Sequence, residues 1–272
     1  MRRFRTVIAV SCAAVALAML GIGTATANAP AVHATTTAID LRGAPYWPGW
    51  DIATGVALQH NGHGGYVLDG WGGLHAFGGA PALKPSKYVP GSVVAHNLAL
   101  AGDDAGGVVV NTHAKTYPFP LLTTTTYTTC DQTWRIGVPT RAIALDPNRV
   151  GTPPTLAYNL NGATLDAWGG IHAFCTTSEH LDTTGASYWR GWKIARGLAL
   201  LPGGAGGFTL DGWGGVHAFG RAKIARPPDS YWGPVAGRRA WDIARSVAID
   251  GHGNGVVLDG WGGLHPFTYT TF

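Results

Sequence analysis

The sequence predicts an all-β fold of five repeated antiparallel units, closed into a five-bladed β-propeller. Three observations lead there. A nine-residue motif returns through the chain, ending at Phe77, Phe119, Phe174, Phe219 and Phe267, so that successive spacings are 42, 55, 45 and 48 residues. Helical periodicity is absent after the first thirty or so residues, and 41 glycines and 17 prolines punctuate the chain too often for long helices. Residues 38–272 also give 47 residues to each of five units, enough for three or four short strands apiece. A period of about 40–50 residues with several short strands per unit is the pattern of propeller blades.

The motif itself is specific. Asp69-Gly-Trp71-Gly-Gly-Leu-His75-Ala-Phe77 recurs as Asp166-Ala-Trp168-Gly-Gly-Ile-His172-Ala-Phe174. It returns as Asp211-Gly-Trp213-Gly-Gly-Val-His217-Ala-Phe219 and as Asp259-Gly-Trp261-Gly-Gly-Leu-His265-Pro-Phe267. A worn copy runs from Asn111 through His113 and Tyr117 to Phe119. The paired glycines supply the positive φ angles of a tight hairpin, with Tyr66–Asp69 as the strand before it and Leu74–Phe77 as the strand after it in the first unit.

A second element precedes each hairpin and supplies the first strand. Trp50-Asp-Ile-Ala-Thr-Gly-Val-Ala-Leu58 matches the stretches from Trp192 to Leu200 and from Trp241 to Ile249. Trp134 with Ala142–Leu145 is the same element with an insertion, and Asn97–Leu100 is its remnant in the second unit. Tyr46-Trp47, Tyr188-Trp189 and Tyr231-Trp232 open three of the units. Strands that are mostly apolar, where a half-exposed sheet would alternate, suit sheets packed on both faces. The last unit stops soon after its third strand, and Leu41-Arg-Gly-Ala-Pro45 resembles Phe77-Gly-Gly-Ala-Pro81. The N-terminal segment is therefore expected to add the outer strand of the last blade and remove a free sheet edge. An open array of hairpins is the alternative architecture.

Residues 1–27 read as an export signal. Arg2, Arg3 and Arg5 precede an apolar run from Val7 to Leu20, and Ala25-Thr-Ala27 offers a cleavage site. Residues 28–37 form a short flexible segment and 38–272 the single folded domain. The run is too short for a spanning helix of about 20 residues, so no membrane span is expected in the mature, secreted chain. Anchoring as a lipoprotein through Cys12 is the lesser outcome.

Loss of the three signal arginines takes the formal charge from +4 to +1, because no acidic residue precedes Asp40. Nothing in that balance supports a nucleic-acid partner, which would need a clustered basic face. The Lys and Arg residues between Arg190 and Arg245 are spaced among apolar ones and read as a solvated face. Cys130 and Cys175 remain after cleavage, and an even count in an exported chain implies one disulfide. Such a crosslink would stabilise by roughly 4 kcal/mol in the chain-entropy model.

The Asp-Gly-Trp-Gly-Gly-x-His-x-Phe units resemble those of secreted repeat proteins of the actinobacterial type, generally interpreted as β-propellers. The resemblance covers nearly the whole mature chain and implies fold and export; it brings no catalytic residue. Five-bladed lectins of the tachylectin type are similar in architecture alone.

Each residue type in the motif has competing roles. Asp69 with His75, and likewise Asp166 with His172, Asp211 with His217 and Asp259 with His265, could be acid/base pairs or metal ligands. Fourfold repetition favours a structural pair, since a catalytic constellation breaks the symmetry of a ring. Trp71, Trp168, Trp213 and Trp261 sit in the hairpin turns, where they either stack on sugar rings or wedge between units. The second set, Trp50, Trp134, Trp192 and Trp241, is expected to pack between units.

Enzyme chemistry has thin support. Glu179 is the sole glutamate, and the unrepeated aspartates, Asp103-Asp104 among them, lie in no informative motif. No cofactor or metal is implied. The expectation is a monomeric extracellular binding or scaffold protein, with a carbohydrate or cell-envelope glycan as ligand. The alternatives are a hydrolase or lyase with acids at the central channel, and a purely structural or protein-interaction role.

Overall fold

The computed structural model describes residues 38–272 apart from 86, 112, 114, 120–126, 129–139, 149–157, 160, 176–179 and 236–238. The export signal, the 28–37 segment, Cys130, Trp134 and Glu179 thus lie outside the described residues. Five separate antiparallel sheets make up the rest. Each begins where the Trp-led element predicts a first strand. In the first unit β1 (Ala53–Leu58), β2 (Gly64–Asp69) and β3 (Leu74–Gly78) form a meander. The second repeats this with β4 (Asn97–Leu100), β5 (Gly107–Val110) and β6 (Thr116–Phe119).

The long insertion contributes a short parallel pair, β7 (Tyr127–Thr128) with β9 (Tyr158–Asn159). Around it, β8 (Thr140–Leu145), β10 (Gly162–Asp166) and β11 (Ile171–Phe174) build the third sheet. The fourth is β12 (Ala195–Leu200), β13 (Gly206–Asp211) and β14 (Val216–Gly220). The fifth has four strands: β16 (Ala244–Ile249), β17 (Asn254–Asp259), β18 (Leu264–Thr271) and, on its outer edge, β15 (Ala222–Arg226).

That fourth strand corrects the expectation for the N-terminus. Residues 38–52 form no strand, and β15, which follows β14 directly, pairs with the end of β18. The N-terminal segment bridges two sheets by loop contacts. The Arg42 carbonyl accepts from Gly78 N–H of the first sheet at 2.7 Å, while Trp47 N–H donates to the Trp261 carbonyl of the fifth at 2.6 Å. Trp189 makes the same bond to Trp168 and Trp232 to Trp213, so each of these linkers docks on the hairpin of the preceding sheet.

The core lies between sheets. One apolar cluster joins the first sheet to the second around Tyr66, Leu98 and Phe119, and others join second to third, third to fourth and fourth to fifth. A fifth cluster, with Val56, Phe77, Val256 and Leu258, joins the fifth sheet back to the first. Strands β2, β13 and β17 are buried along their whole length, the consequence of packing on both faces. The first strands also touch in sequence: β1 packs on β4 and β16, β8 on β4 and β12, and β12 on β16. Among the described residues, no helix is long and apolar enough to cross a membrane.

Candidate functional site

The motif aspartates and histidines are placed by the hairpin they brace. Asp69 Oδ1 accepts from Trp71 N–H at 2.9 Å and Gly73 N–H at 2.8 Å, and its Oδ2 meets His75 Nε2 at 2.8 Å. Asp166, Asp211 and Asp259 repeat all three contacts with His172, His217 and His265, within 2.8–3.0 Å. Asn111 keeps the amide contacts in the worn copy, to His113 and Lys115, with Tyr117 in the histidine's place. Every carboxylate is buried and engaged by its own turn and the histidine beside it.

The linker tryptophans complete this brace. Trp47, Trp189 and Trp232 meet His75, His217 and His265 edge-to-face, with ring centroids 5.0–5.1 Å apart. Their indoles occupy the space beside Gly262, Gly169 and Gly214 of the preceding hairpins, where a side-chain carbon would meet ring atoms or the Pro45 carbonyl. Those glycines have φ of 87–93° as well, so two independent constraints fix their identity.

The motif tryptophans Trp71, Trp168, Trp213 and Trp261 are half-buried. Three stack edge-to-face on the Trp that leads the first strand of the same unit: Trp71 on Trp50, Trp213 on Trp192 and Trp261 on Trp241, with centroids 4.8–5.2 Å apart. Lys193 Nζ lies 5.5 Å from the Trp168 ring. The outer partners Trp50, Trp192 and Trp241 are 46–48% exposed. This corrects the expected role of these three as packing between units: that role falls to Trp47, Trp189 and Trp232, while Trp50, Trp192 and Trp241 face solvent and Trp134 lies outside the described residues.

A basin of about 410 Å³ opens beside Trp50 and Trp71, and its most polar wall was not legible in the sequence. It is lined by His96, Arg141, Arg196 and Arg245, with Asp51 and Asp242. Thr54, Arg141, Arg196 and Arg245 share one position, the extra residue of a β-bulge at the start of the first strand. Register there skips from Ala53 to Gly55, Thr140 to Ala142, Ala195 to Gly197 and Ala244 to Ser246. A bulge turns one side chain out of the ladder, and here it turns all four to the same side.

Arg196 is clasped by Asp242 and Arg245 by Asp51, each through Nε and a terminal nitrogen, the carboxylate coming from the next unit. These arginine side chains are only 16% and 20% exposed, so the reading of this stretch as a solvated basic face is wrong for both. Deeper along the first strands a channel of about 70 Å³ runs between Val56, Leu98, Ile143, Leu198 and Val247. Its lining is mostly apolar, with His60 and Asp250 among the exceptions.

At the channel's other end Asp104, with φ of 57°, accepts from His60 N–H and contacts His60 Nδ1 at 2.6 Å. Asp104 thus ties the first two sheets together, while Asp103 is exposed and accepts from Ala105 N–H in its own turn. Cys175 follows β11 directly, with φ of 57°, and packs on the cluster between second and third sheets. Among the described residues, no group of three or more His, Cys, Asp or Glu side chains could hold a metal.

No protein-family model matches the chain, and no curated protein matches it. Among solved structures, a protein of unknown function from Bacteroides thetaiotaomicron VPI-5482 is similar at 10% identity with a TM-score of 0.37 over 79% of this chain. The chain spans 58% of that protein's length.

Proposed function

We propose that this chain is a secreted, monomeric five-bladed β-propeller that binds a carbohydrate, in particular a cell-envelope glycan, on the face carrying the tryptophan pairs. The signal-like residues 1–27 motivate export. The cluster joining fifth sheet to first, and the Trp47–Trp261 main-chain bond, support ring closure. The proposed Cys130–Cys175 bond would tie the end of β11 to the insertion. The observation that carries the binding reading is the exposure of Trp50, Trp192 and Trp241. Each meets a half-buried partner edge-to-face, which restricts its orientation while nearly half of it stays exposed to water.

An indole face set this way stacks on the C–H face of a pyranose, with little conformational entropy left to lose on binding. Pull-down of the secreted protein on purified cell-wall polysaccharides and a glycan array tests the reading. Trp50→Ala/Trp192→Ala/Trp241→Ala should lose at least tenfold in retention while melting within a few degrees of the parent. A parent protein retained by no polysaccharide would refute the proposal.

A further inference from the structure

The third unit breaks the arginine clasp at two places at once. In the fourth and fifth units the clasping carboxylates of Asp242 and Asp51 sit directly on Gly212 and Gly260, where any side-chain carbon would collide with them. The corresponding hairpin residue of the third unit is Ala167, and the residue of the next unit that should reach over it is Lys193. A methyl group therefore fills the carboxylate's seat, and the carboxylate is replaced by an amine that lies over Trp168. Arg141 keeps the bulge and the basin position of its counterparts but has no acidic partner among the described residues.

The vacancy is specific to one atom. Arg141 Nε is buried and has no hydrogen-bond partner, whereas Arg196 Nε and Arg245 Nε each donate to an aspartate oxygen at 3.0–3.1 Å. Leaving a buried charged donor unpaired is expensive, so such a group has reason to stay only where something fills the gap. Its surroundings add to the demand for an anion. Burial and the nearby Arg196 push the Arg141 guanidinium down from its ordinary range, with Asp242 pulling the other way. Burial, then Arg141 and His113, push His96 down as well. Three guanidinium groups share the basin with two carboxylates, both already engaged.

We propose that Arg141 is an oxyanion-binding residue, and that the basin takes the carboxylate or phosphate of an acidic saccharide beside its guanidinium, as the counter-charge this unit lacks. The saccharide part rests on the glycan reading above; the anion part does not. A planar guanidinium matches either oxyanion through two parallel donors, and Arg141 lines the basin together with Trp50 and Trp71.

The test uses calorimetric titration of the secreted protein with trigalacturonate, with galactotriose as the neutral match, and with inorganic phosphate. The Arg141 Nε–Hε NMR signal provides a second readout. Trigalacturonate should bind at least tenfold tighter than galactotriose and shift that signal, as should phosphate. Arg141→Gln should bring the acidic-to-neutral ratio to about one. Ala167→Gly/Lys193→Asp, which rebuilds the clasp of the other units, should do the same while melting at or above the parent temperature. Arg226→Gln, on the outer strand β15, should change neither.

If Arg141→Gln binds phosphate and trigalacturonate like the parent, the assignment is overturned. Equal binding of acidic and neutral trisaccharides, without a phosphate shift, overturns the anion site and leaves the glycan reading standing. A phosphate shift at Arg141 with neither saccharide bound upholds the anion site and removes its saccharide part.

Discussion

At the scale of single residues, repetition separates structural roles from functional ones. Asp69, Asp166, Asp211 and Asp259 make the same three contacts, so their purpose is whatever all four hairpins need. That purpose is to satisfy two amides of a turn that points into protein. Asp211→Ala should orphan the Trp213 and Gly215 N–H groups and cost about 2–4 kcal/mol in chemical denaturation. Asp211→Asn retains an acceptor for both amides and should cost about 1 kcal/mol. A loss as large in the Asn variant would place the value of the residue in its charge toward His217. The Asp–His pairing was legible because the motif spells it four times. Arg141 was not, because a β-bulge leaves no mark on composition. The bulge position reads Thr54, Arg141, Arg196 and Arg245, and only the pairing register shows that these are one site.

At the scale of elements, the first three strands of each unit followed from glycine-bounded apolar runs, and the fourth did not. The stretch Ala222–Arg226 carries two basic residues and an exposed edge, so nothing in its pattern marks it as a strand. It is one because Gly220 and Arg221 turn the chain back along β18, which extends to Thr271 to receive it. Tyr269 anchors that extension. It is buried, packs on Phe208 at 5.2 Å between ring centroids, and donates its hydroxyl to the Asp250 carbonyl at 2.5 Å.

Burial, then the charge of Asp250, pushes the Tyr269 phenol well above its ordinary value. Folding thus favours the neutral phenol. The resulting stability is fully present below the unfolded pKa of about 10 and is lost as pH rises through the folded value. Tyr269→Phe should lose about 1 kcal/mol at neutral pH through the missing hydrogen bond. Its stability should then fall less steeply than the parent's between about pH 10 and 12, measured by urea unfolding at each pH. Parallel slopes would show that Tyr269 ionises as readily in the folded chain as in the unfolded one.

At the scale of the whole molecule, the question is whether first and last sheets are held as firmly as neighbours within the chain. The sequence expected a shared strand at this seam, from the likeness of Leu41–Pro45 to Phe77–Pro81. The likeness covers two different structures, since Phe77 and Gly78 end β3 whereas Leu41–Pro45 is a linker of turns with a proline and has no ladder to offer. Side-chain packing holds the seam, together with the Trp47–Trp261 main-chain bond and the Arg245–Asp51 clasp. Ile39, Leu41, Ala44 and Trp47 lie against the cluster formed by Val56, Phe77, Val256 and Leu258. Trp47 stands to the fifth and first sheets as Trp189 stands to the third and fourth, with the same main-chain bond and the same histidine contact.

A closed ring makes these two positions energetically alike, and an open array does not. In a ring, Trp47→Ala and Trp189→Ala each open a cavity between two packed sheets and should each cost about 2–4 kcal/mol, agreeing within about 1 kcal/mol. In an open array the N-terminal linker would have only one sheet to lean on, and a residue near a fraying end contributes little. Urea unfolding of the two variants beside the parent decides between them. A Trp47→Ala loss below half that of Trp189→Ala would mean that the contacts between Trp47 and the last hairpin add little to stability, and the ring would have to be abandoned for an open stack of sheets.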